Sequence, residues 1–361
     1  MRRWYIPGGI LLGALALGGC HHEVEMTPLI ERTIYITDKF YDVQALSKDR
    51  AFVVGYGGKV LETTDGGYTW NTRDSGTDLA LYSIKFVDDQ HGWISGQDGL
   101  ILRTDDGGKS WQKQQSNAIL KETDGSEVPL YLFAIDAIDA EHAWAVGDRS
   151  YLTSTEDGGK TWKARKVQGA ADKSGESMAS ADPIFYDVKF LDQQHGWIVG
   201  EFGKILRTDD GGASWREQEQ SLLSGGSGFV DLLDLPTMFG IQVVNPQEQI
   251  SAGLEGHIAR TTDGGQNWGF DEIKVDYKLE DPLFRVKQFP DGSGWAVGSA
   301  GEVLRREPGD PVWKRAKLGQ DISAWIRGLS FFDQQNGWMV GGFGLIFRTT
   351  DGGKTWLPAQ G

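Results

Sequence analysis

The sequence predicts an all-β protein, a single seven-bladed β-propeller with four-stranded blades, and three observations lead there. A turn-like block recurs as TTDGGYTW ending at Trp70, TDDGGKSW at Trp111, TEDGGKTW at Trp162, TDDGGASW at Trp215, TTDGGQNW at Trp268 and TTDGGKTW at Trp356. A second element precedes each block: GWISG at Trp93, AWAVG at Trp144, GWIVG at Trp197, GWAVG at Trp295 and GWMVG at Trp338, with weaker forms AFVVG at Phe52 and ISAG at Ile250. A seventh block has decayed to REPGDPVW ending at Trp313, and is recognised by the preceding GEVLRR, which matches GKILRT and GLIFRT elsewhere. Successive block tryptophans lie 41, 51, 53, 53, 45 and 43 residues apart, close to the ~40–50 residues of a four-stranded propeller blade.

Each unit reads as four strands by its period-two alternation. In the fourth unit these are YDVKFLD from 186, WIVG from 197, KILRT from 204 and WREQE from 215, so the Asp-Gly-Gly block falls between the third and fourth strands. Its chemistry is that of a fixed turn. Asp210 can accept backbone N–H bonds, and Gly211 and Gly212 allow backbone angles that side chains forbid. The aspartates of the intact blocks, Asp65, Asp106, Asp157, Asp210, Asp263 and Asp351, are therefore assigned a structural role. Of 14 tryptophans, 12 occupy the two repeat positions, which assigns Trp70, Trp111, Trp162, Trp215, Trp268, Trp313 and Trp356 to seams between blades rather than to ligand binding.

The N-terminus has a different origin. Arg2 and Arg3 precede an apolar run from Ile6 to Leu17, which ends in Gly18, Gly19 and Cys20. The run is shorter than the ~20 residues that cross a bilayer and has the flanks of a removable leader. L-G-G-C resembles the bacterial lipobox, and Cys20 is the only cysteine, which suits a lipid attachment point rather than a disulfide. Residues 1–19 are thus read as a lipoprotein signal peptide, 20–32 as a tether and 33–361 as the propeller. His21 after Cys20 favours the outer membrane, facing the periplasm, over the inner membrane. Removing the leader takes the formal charge from −15 to −17, and no basic run offsets it, which argues against nucleic acid as a partner.

Aligned inner strands pair Tyr41 with Val43, Tyr82 with Ile84, Phe133 with Ile135, Tyr186 with Val188, Phe239 with Ile241 and Phe284 with Val286; these are expected to be the packed positions. Between them lie Asp42, Gln44, Ser83, Lys85, Asp136, Asp187, Lys189, Gln242, Arg285, Lys287 and Arg327, too many polar groups to be buried unpaired. They are placed at a wet central channel, where Arg285, Lys287, Arg327 and Lys189 are candidate partner-binding residues. The longer connections, around 112–131, 164–184, 217–238 and 270–282, all lead into inner strands and so share one face, commonly the binding side. In one of them Phe229 and Leu232 are candidate docking residues, with burial against the propeller rim as the other reading. TIYIT at 33–37 is expected to close the ring by pairing beside Trp356, since an open sheet edge is a liability; service as part of the tether is the other reading.

The S/T-x-D-x-G-x-x-W block is similar to the Asp box of bacterial neuraminidase repeats, and with HGWxVG and GxILRTxDGGxxW the chain most resembles the photosystem II assembly and stability factor family. The resemblance implies a non-catalytic, lipid-anchored scaffold for membrane proteins, and an arginine patch on the propeller. The preferred reading is a partner of membrane proteins in an envelope complex, such as a transporter accessory; the runner-up is a photosystem II assembly factor on a thylakoid or inner membrane in a photosynthetic source. A sialidase- or glucanase-like hydrolase, or a carbohydrate-binding protein, is the remaining alternative. It lacks the sialidase motif, for which FRVKQFP at 284–290 is a poor substitute, although Asp42 and Asp187 could be imagined at glycosidase distance. Catalytic residues, cofactors and a small-molecule substrate are not expected. No metal is expected either, since His91, His142 and His195 fall one per blade in equivalent turns.

Overall fold

Seven sheets form around inner strands Phe40–Ala45, Leu81–Phe86, Leu132–Ala137, Phe185–Phe190, Met238–Val243, Leu283–Gln288 and Ile326–Phe331. The computed structural model describes residues 32–167, 182–224, 228–229 and 231–359, and Thr33–Gly361 make up one unit. The proposed leader and Cys20 lie outside the described residues. Each blade is an antiparallel meander of four strands in chain order, which is the seven-bladed propeller read from the repeats; on the sixth blade a short further strand, Ile273–Lys274, adds parallel to the outer strand Trp313–Arg315. The second strand of every blade, for example Gly196–Gly200, is buried along its whole length. Its closing glycine is required by close approach: a Cβ at Gly55 would collide with the carbonyl of Lys39, and one at Gly147 with that of Tyr131.

The core is seven separate seams, one per pair of neighbouring blades. Each block tryptophan packs onto the blade before it: Trp162 joins Trp93 and Ile101 of the second blade, Trp215 joins Trp144 and Leu152 of the third, and Trp356 joins Trp295 and Val297 of the sixth. Trp93 and Trp197 are fully buried, and each is covered by a guanidinium from the facing strand, Arg103 at 4.9 Å and Arg207 at 5.1 Å from the ring centroid.

The block turns act through two side chains rather than one. In the fourth blade the Thr208 hydroxyl accepts the Gly212 N–H (2.8 Å) and donates to Asp210 Oδ1 (2.7 Å), while Asp210 accepts the Ser214 N–H (2.9 Å) and Ser214 hydroxyl (2.6 Å). Gly211 and Gly212 adopt φ of 72° and 88°, where a side chain would be strained. The same bonds recur around Asp65, Asp106, Asp157, Asp263 and Asp351. In the sixth blade Arg306 replaces the threonine. Its guanidinium lies 4.8 Å from the Trp313 ring centroid, donates to the Gly292 carbonyl (2.7 Å) and to Gln288, and pairs with Asp271 at 3.2 Å. The decayed block keeps a turn, Asp310 N–H to Glu307 O (3.1 Å) with Gly309 at φ 73°, and the Arg306 ion pair takes the place of the threonine–aspartate bonds.

Three expectations are corrected. Segment 33–37 is not a strand; the stretch from Ile34 to Lys39 lies as a strap across the turns of two blades, and the first and seventh blades are each built from one continuous stretch of chain. Ring closure comes from packing, side chains and the strap: Ser330 Oγ accepts the Ala45 N–H (3.0 Å), Arg348 donates to the Lys48 carbonyl (3.2 Å), Asp38 O of the strap accepts the Gly344 N–H (2.9 Å), and Ile34, Phe40, Val43 and Trp70 pack with Trp338 and Val340. Phe229 and Leu232 turn inward, packing on the cluster of Trp197, Leu222, Leu235 and Trp268 instead of presenting apolar surface to a partner. Finally, each inner strand carries a bulge directly after its first residue, between Phe40 and Asp42, Leu81 and Ser83, and their equivalents. The extra residue breaks the alternation, so Tyr41, Tyr82, Phe133, Tyr186, Phe239 and Phe284 are half-buried, while Val43, Ile84, Ile135, Val188, Ile241 and Val286 are packed as expected.

Candidate functional site: the channel mouth

Because the bulge recurs at one level of every inner strand, it sets the aromatic side chains side by side around the channel. Ring centroids are separated by 5.5 Å from Tyr41 to Tyr82, 5.3 Å to Phe133, 5.7 Å to Tyr186, 5.0 Å to Phe239 and 5.5 Å to Phe284. The seventh blade breaks the series with Arg327, whose guanidinium lies 5.6 Å from the Tyr41 ring centroid. Trp325, outside the repeat positions, stacks on the same tyrosine at 5.7 Å and 11°. Burial, with Tyr41 and Tyr131 adding to it, pushes the Tyr82 hydroxyl up to about 12; burial likewise raises Tyr41 and Tyr186. The collar is therefore made of neutral rings and one cation.

This collar is on the face of the long connections. The turns between second and third strands bond to residues just before the inner strands, as in Tyr56 N–H to Lys39 O (2.9 Å) and Gln97 N–H to Ala80 O (2.9 Å). The Asp-Gly-Gly turns bond at the other end, as in Gly107 N–H to Gln90 O (2.8 Å). There His91, His142 and His195 each hold the aspartate of their own turn, Asp88, Asp139 and Asp192, at 2.8 to 2.9 Å. Those histidines are distributed around the ring and far from the collar in function.

Below the collar the polar side chains satisfy the open edges of the inner strands. Asp42 accepts the Ile84 N–H (3.0 Å), Asp136 the Phe190 N–H (2.7 Å) and Asp187 the Ile241 N–H (3.0 Å), each across a seam. Gln44 and Gln242 bond to Phe86 and Gln288 in the same way. The cations then pair with these carboxylates: Lys85 with Asp136 at 2.7 Å, Lys189 with Asp187 at 2.8 Å, and Arg285 with Asp187 at 3.9 Å. Burial would raise Asp187, but Lys189 and Arg285 outweigh it and hold the carboxyl below its usual range. Burial would lower Lys189, and Asp187 and Asp136 carry it above its ordinary value instead.

The four cations singled out in the sequence thus have different fates. Lys189 is consumed in an ion pair. Arg285 donates to the carbonyls of Phe239 (3.1 Å) and Phe284 (3.2 Å) and faces Asp187. Arg327 makes no ion pair among the described residues and lies against Tyr41; burial, then the nearby Arg285, depress it from the usual arginine range against the opposing pull of Tyr41 and Asp42. Lys287 has no carboxylate partner among the described residues; burial, then Lys85, lower it, and its ammonium lies 5.9 Å from the Phe289 ring centroid. Arg285 and Lys287 lie on the sixth inner strand and Arg327 on the neighbouring seventh, with Arg285 close enough to Arg327 to act on it. Lys85, Lys189, Arg285, Lys287 and Arg327 outnumber Asp42, Asp136 and Asp187 on these strands, in a chain of net charge −15. The missed feature, the collar, was written in the sequence as a recurrent aromatic; what hid it was the bulge.

The sequence model of photosynthesis system II assembly factor YCF48 matches residues 23–121 and 176–234. The photosystem II assembly protein Ycf48 of Thermosynechococcus vestitus is 30% identical over 301 residues, covering 74% of this chain and 82% of that protein. The photosystem II assembly lipoprotein Ycf48 of a Synechococcus species is 29% identical over 161 residues, 44% of this chain and 43% of its own length; the match thus spans less than half of that relative. A solved structure of YCF48 bound to a D1 peptide has a TM-score of 0.63 at 19% identity, covering 87% of this chain and 92% of that one, a likeness of fold. The relatives' names give no support to an outer-membrane address or a transporter partner.

Proposed function

Because this chain belongs to the photosynthesis system II assembly factor YCF48 family, we propose that it is a non-catalytic, lipid-tethered propeller that receives a segment of a membrane protein at its collared channel mouth during assembly of a photosystem II-type complex. One observation carries the choice of site: six half-buried aromatic rings and Arg327 form a continuous collar above a channel with excess positive charge. Such a mouth suits an extended peptide with apolar side chains and a carboxylate, since rings give contact area at low entropic cost and a partly desolvated guanidinium favours an anion. The D1 peptide of the solved YCF48 complex and the lipoprotein names of relatives are the reasons for choosing a membrane-protein segment and a tether at Cys20.

A hydrolase reading is disfavoured by the use already made of the channel carboxylates. Asp42 accepts from Val43, Ile84 and Ser83, and Asp187 from Val188, Ile241 and Lys189. Asp187 is also held below the usual range, the opposite of a general acid. The test is calorimetric titration of the full chain with a D1-type peptide. Tyr82→Ala and Arg327→Gln should each weaken binding about tenfold or more, in line with losing a central interface residue, while Phe229→Ser leaves it unchanged per folded molecule. Equal binding by wild type and both collar variants would move the site elsewhere.

A further inference from the structure

We propose that the rim formed by the first and seventh blades docks on the surface of the lipid bilayer, with Tyr35, Ile36, Tyr56 and Phe343 in the headgroup region and Lys39 against anionic headgroups. These side chains are 50, 77, 61 and 64% exposed, and the strap from Ile34 to Lys39 holds them together. Lys39 O accepts the Tyr56 N–H of the first blade's turn (2.9 Å), and Asp38 O accepts the Gly344 N–H of the seventh blade's turn (2.9 Å). Asp38 also pairs with Lys59 at 2.8 Å, leaving no net charge there, and the Lys59 ammonium lies 5.2 Å from the Tyr35 ring centroid. Lys39 is exposed and 5.4 Å from the Tyr56 ring centroid.

Phe343 supplies an independent argument. It sits at φ 59°, in the left-handed region where a bulky side chain is strained, and most of its ring faces solvent. The matching turn positions Gly57, Asp98, Arg149, Phe202, Glu255 and Ala300 are left-handed too, so the turn sets this backbone in every blade; what sets Phe343 apart from its counterpart Phe202, which is half-buried, is its exposure. Folding gains little from a phenylalanine there, so its return lies in something that covers the ring.

Three facts choose a bilayer as the occupant. The patch is made of turn tips and a strap, not a groove. Its composition, tyrosine and phenylalanine with lysine, is the one that settles at membrane–water interfaces. The chain also leaves the propeller at Thr33, beside the patch. Residues 21–32 let the tether of the preceding proposal reach at most roughly 45 Å, which keeps the point of exit at Thr33, beside this rim, within that distance of the membrane. A second contact also converts weak lipid anchoring into stable association. Docking here keeps the collar's face at the bilayer, where a membrane-protein segment emerges.

The inference uses the proposed anchor at Cys20 but not the peptide site. The test uses the full lipidated chain, purified from membranes and reconstituted into phosphatidylcholine/phosphatidylglycerol vesicles, with an environment-sensitive fluorophore on Phe343→Cys or on Tyr68→Cys. Tyr68 is 76% exposed in the first block turn, at the opposite end of the blade. The label at 343 is expected to shift to the blue and to be quenched several-fold more by brominated lipid than the label at 68. Adding Tyr35→Ser and Ile36→Ser should abolish most of that quenching with an unchanged melting midpoint. Equal quenching at 343 and 68, or quenching indifferent to the serine changes, overturns the docking surface. The mass of the N-terminal peptide reads acylation of Cys20 separately, and an unmodified cysteine removes both anchor and docking. Peptide titration of the same proteins in detergent should be unaffected by the serine changes, so failure of docking and failure of the peptide site are told apart.

Discussion

Arg327 of the last inner strand faces Tyr41 of the first, its guanidinium 5.6 Å from the ring centroid, and this contact joins the two ends of the repeat array. It places the one cation of the collar at the seam where the repeat array closes, which the strap of Ile34–Lys39 spans through Asp38 O to the Gly344 N–H (2.9 Å). The exception in the aromatic series and the closure of the ring are thus in the same place.

That seam should be the first to open. Every other pair of neighbouring blades is joined by chain, whereas the first and seventh are held by packing and by bonds such as Ala45 N–H to Ser330 (3.0 Å). Native-state hydrogen exchange is expected to give the lowest opening free energies for buried amides of Phe40–Ala45 and Ile326–Phe331, and Ser330→Ala should lower them further by about 1 kcal/mol. Slower exchange there than in the central blades would contradict side-chain closure.

Acid should unfold the protein through its block turns. Bonds from Ser110 and Thr161 hold Asp106 and Asp157 down at about 2, below the ~3.9 of an unfolded chain. The unfolded state binds more protons in that interval, so the turns' contribution is complete above pH ~4 and is lost as pH falls toward 2. Urea midpoints measured from pH 7 to pH 2 should fall steeply below 4. Asp106→Ala should start about 1 kcal/mol less stable at neutral pH, by analogy with loss of a helix cap, and fall less steeply.

Restoring the repeat consensus at the decayed block should do harm. Arg306→Thr would supply the block's threonine, but it would strip the part-buried Asp271 of one of its two cations and leave Gln288 Oε1 without its donor. Breaking such a pair costs about 3 kcal/mol or more. A denaturant titration showing neutral or positive change would mean that the ion pair adds nothing to the sixth blade.

Lys287 is expected to lower stability. Burial holds it below its ordinary value near ~10.4, and no carboxylate compensates. The unfolded state therefore binds the proton more tightly, and stability rises with pH between the folded and unfolded values. Lys287→Met should raise the melting midpoint at pH 7 while weakening peptide binding, a residue kept for function at a cost to the fold. A lower midpoint would show that an anion partner is already present.

The number of blades, their strands and the seam tryptophans were legible in the sequence because they rest on local chemistry. A Thr, an Asp and two glycines at fixed spacing make the same turn wherever they occur, and an indole after that turn reaches the same seam. Segment 33–37 misled because its β-branched and aromatic residues suit a strand, yet the last blade already has its fourth strand and leaves it only the turns to lie on. Phe229 and Leu232 misled because apolar loop residues look the same whether they meet a partner or their own blades.

The sequence by itself therefore determined the propeller, its repeat turns and the candidate cations. Only the tertiary structure decided that the inner-strand aromatics form a collar, that Lys189 and Arg285 are engaged while Arg327 lies against Tyr41 without an ion pair and Lys287 lacks a carboxylate among the described residues, and that side chains and a strap close the ring. The physical reason is that a bulge inserts one residue and reverses the face of everything before it, and pairing between inner strands joins residues some 40 to 55 positions apart, which no local pattern records.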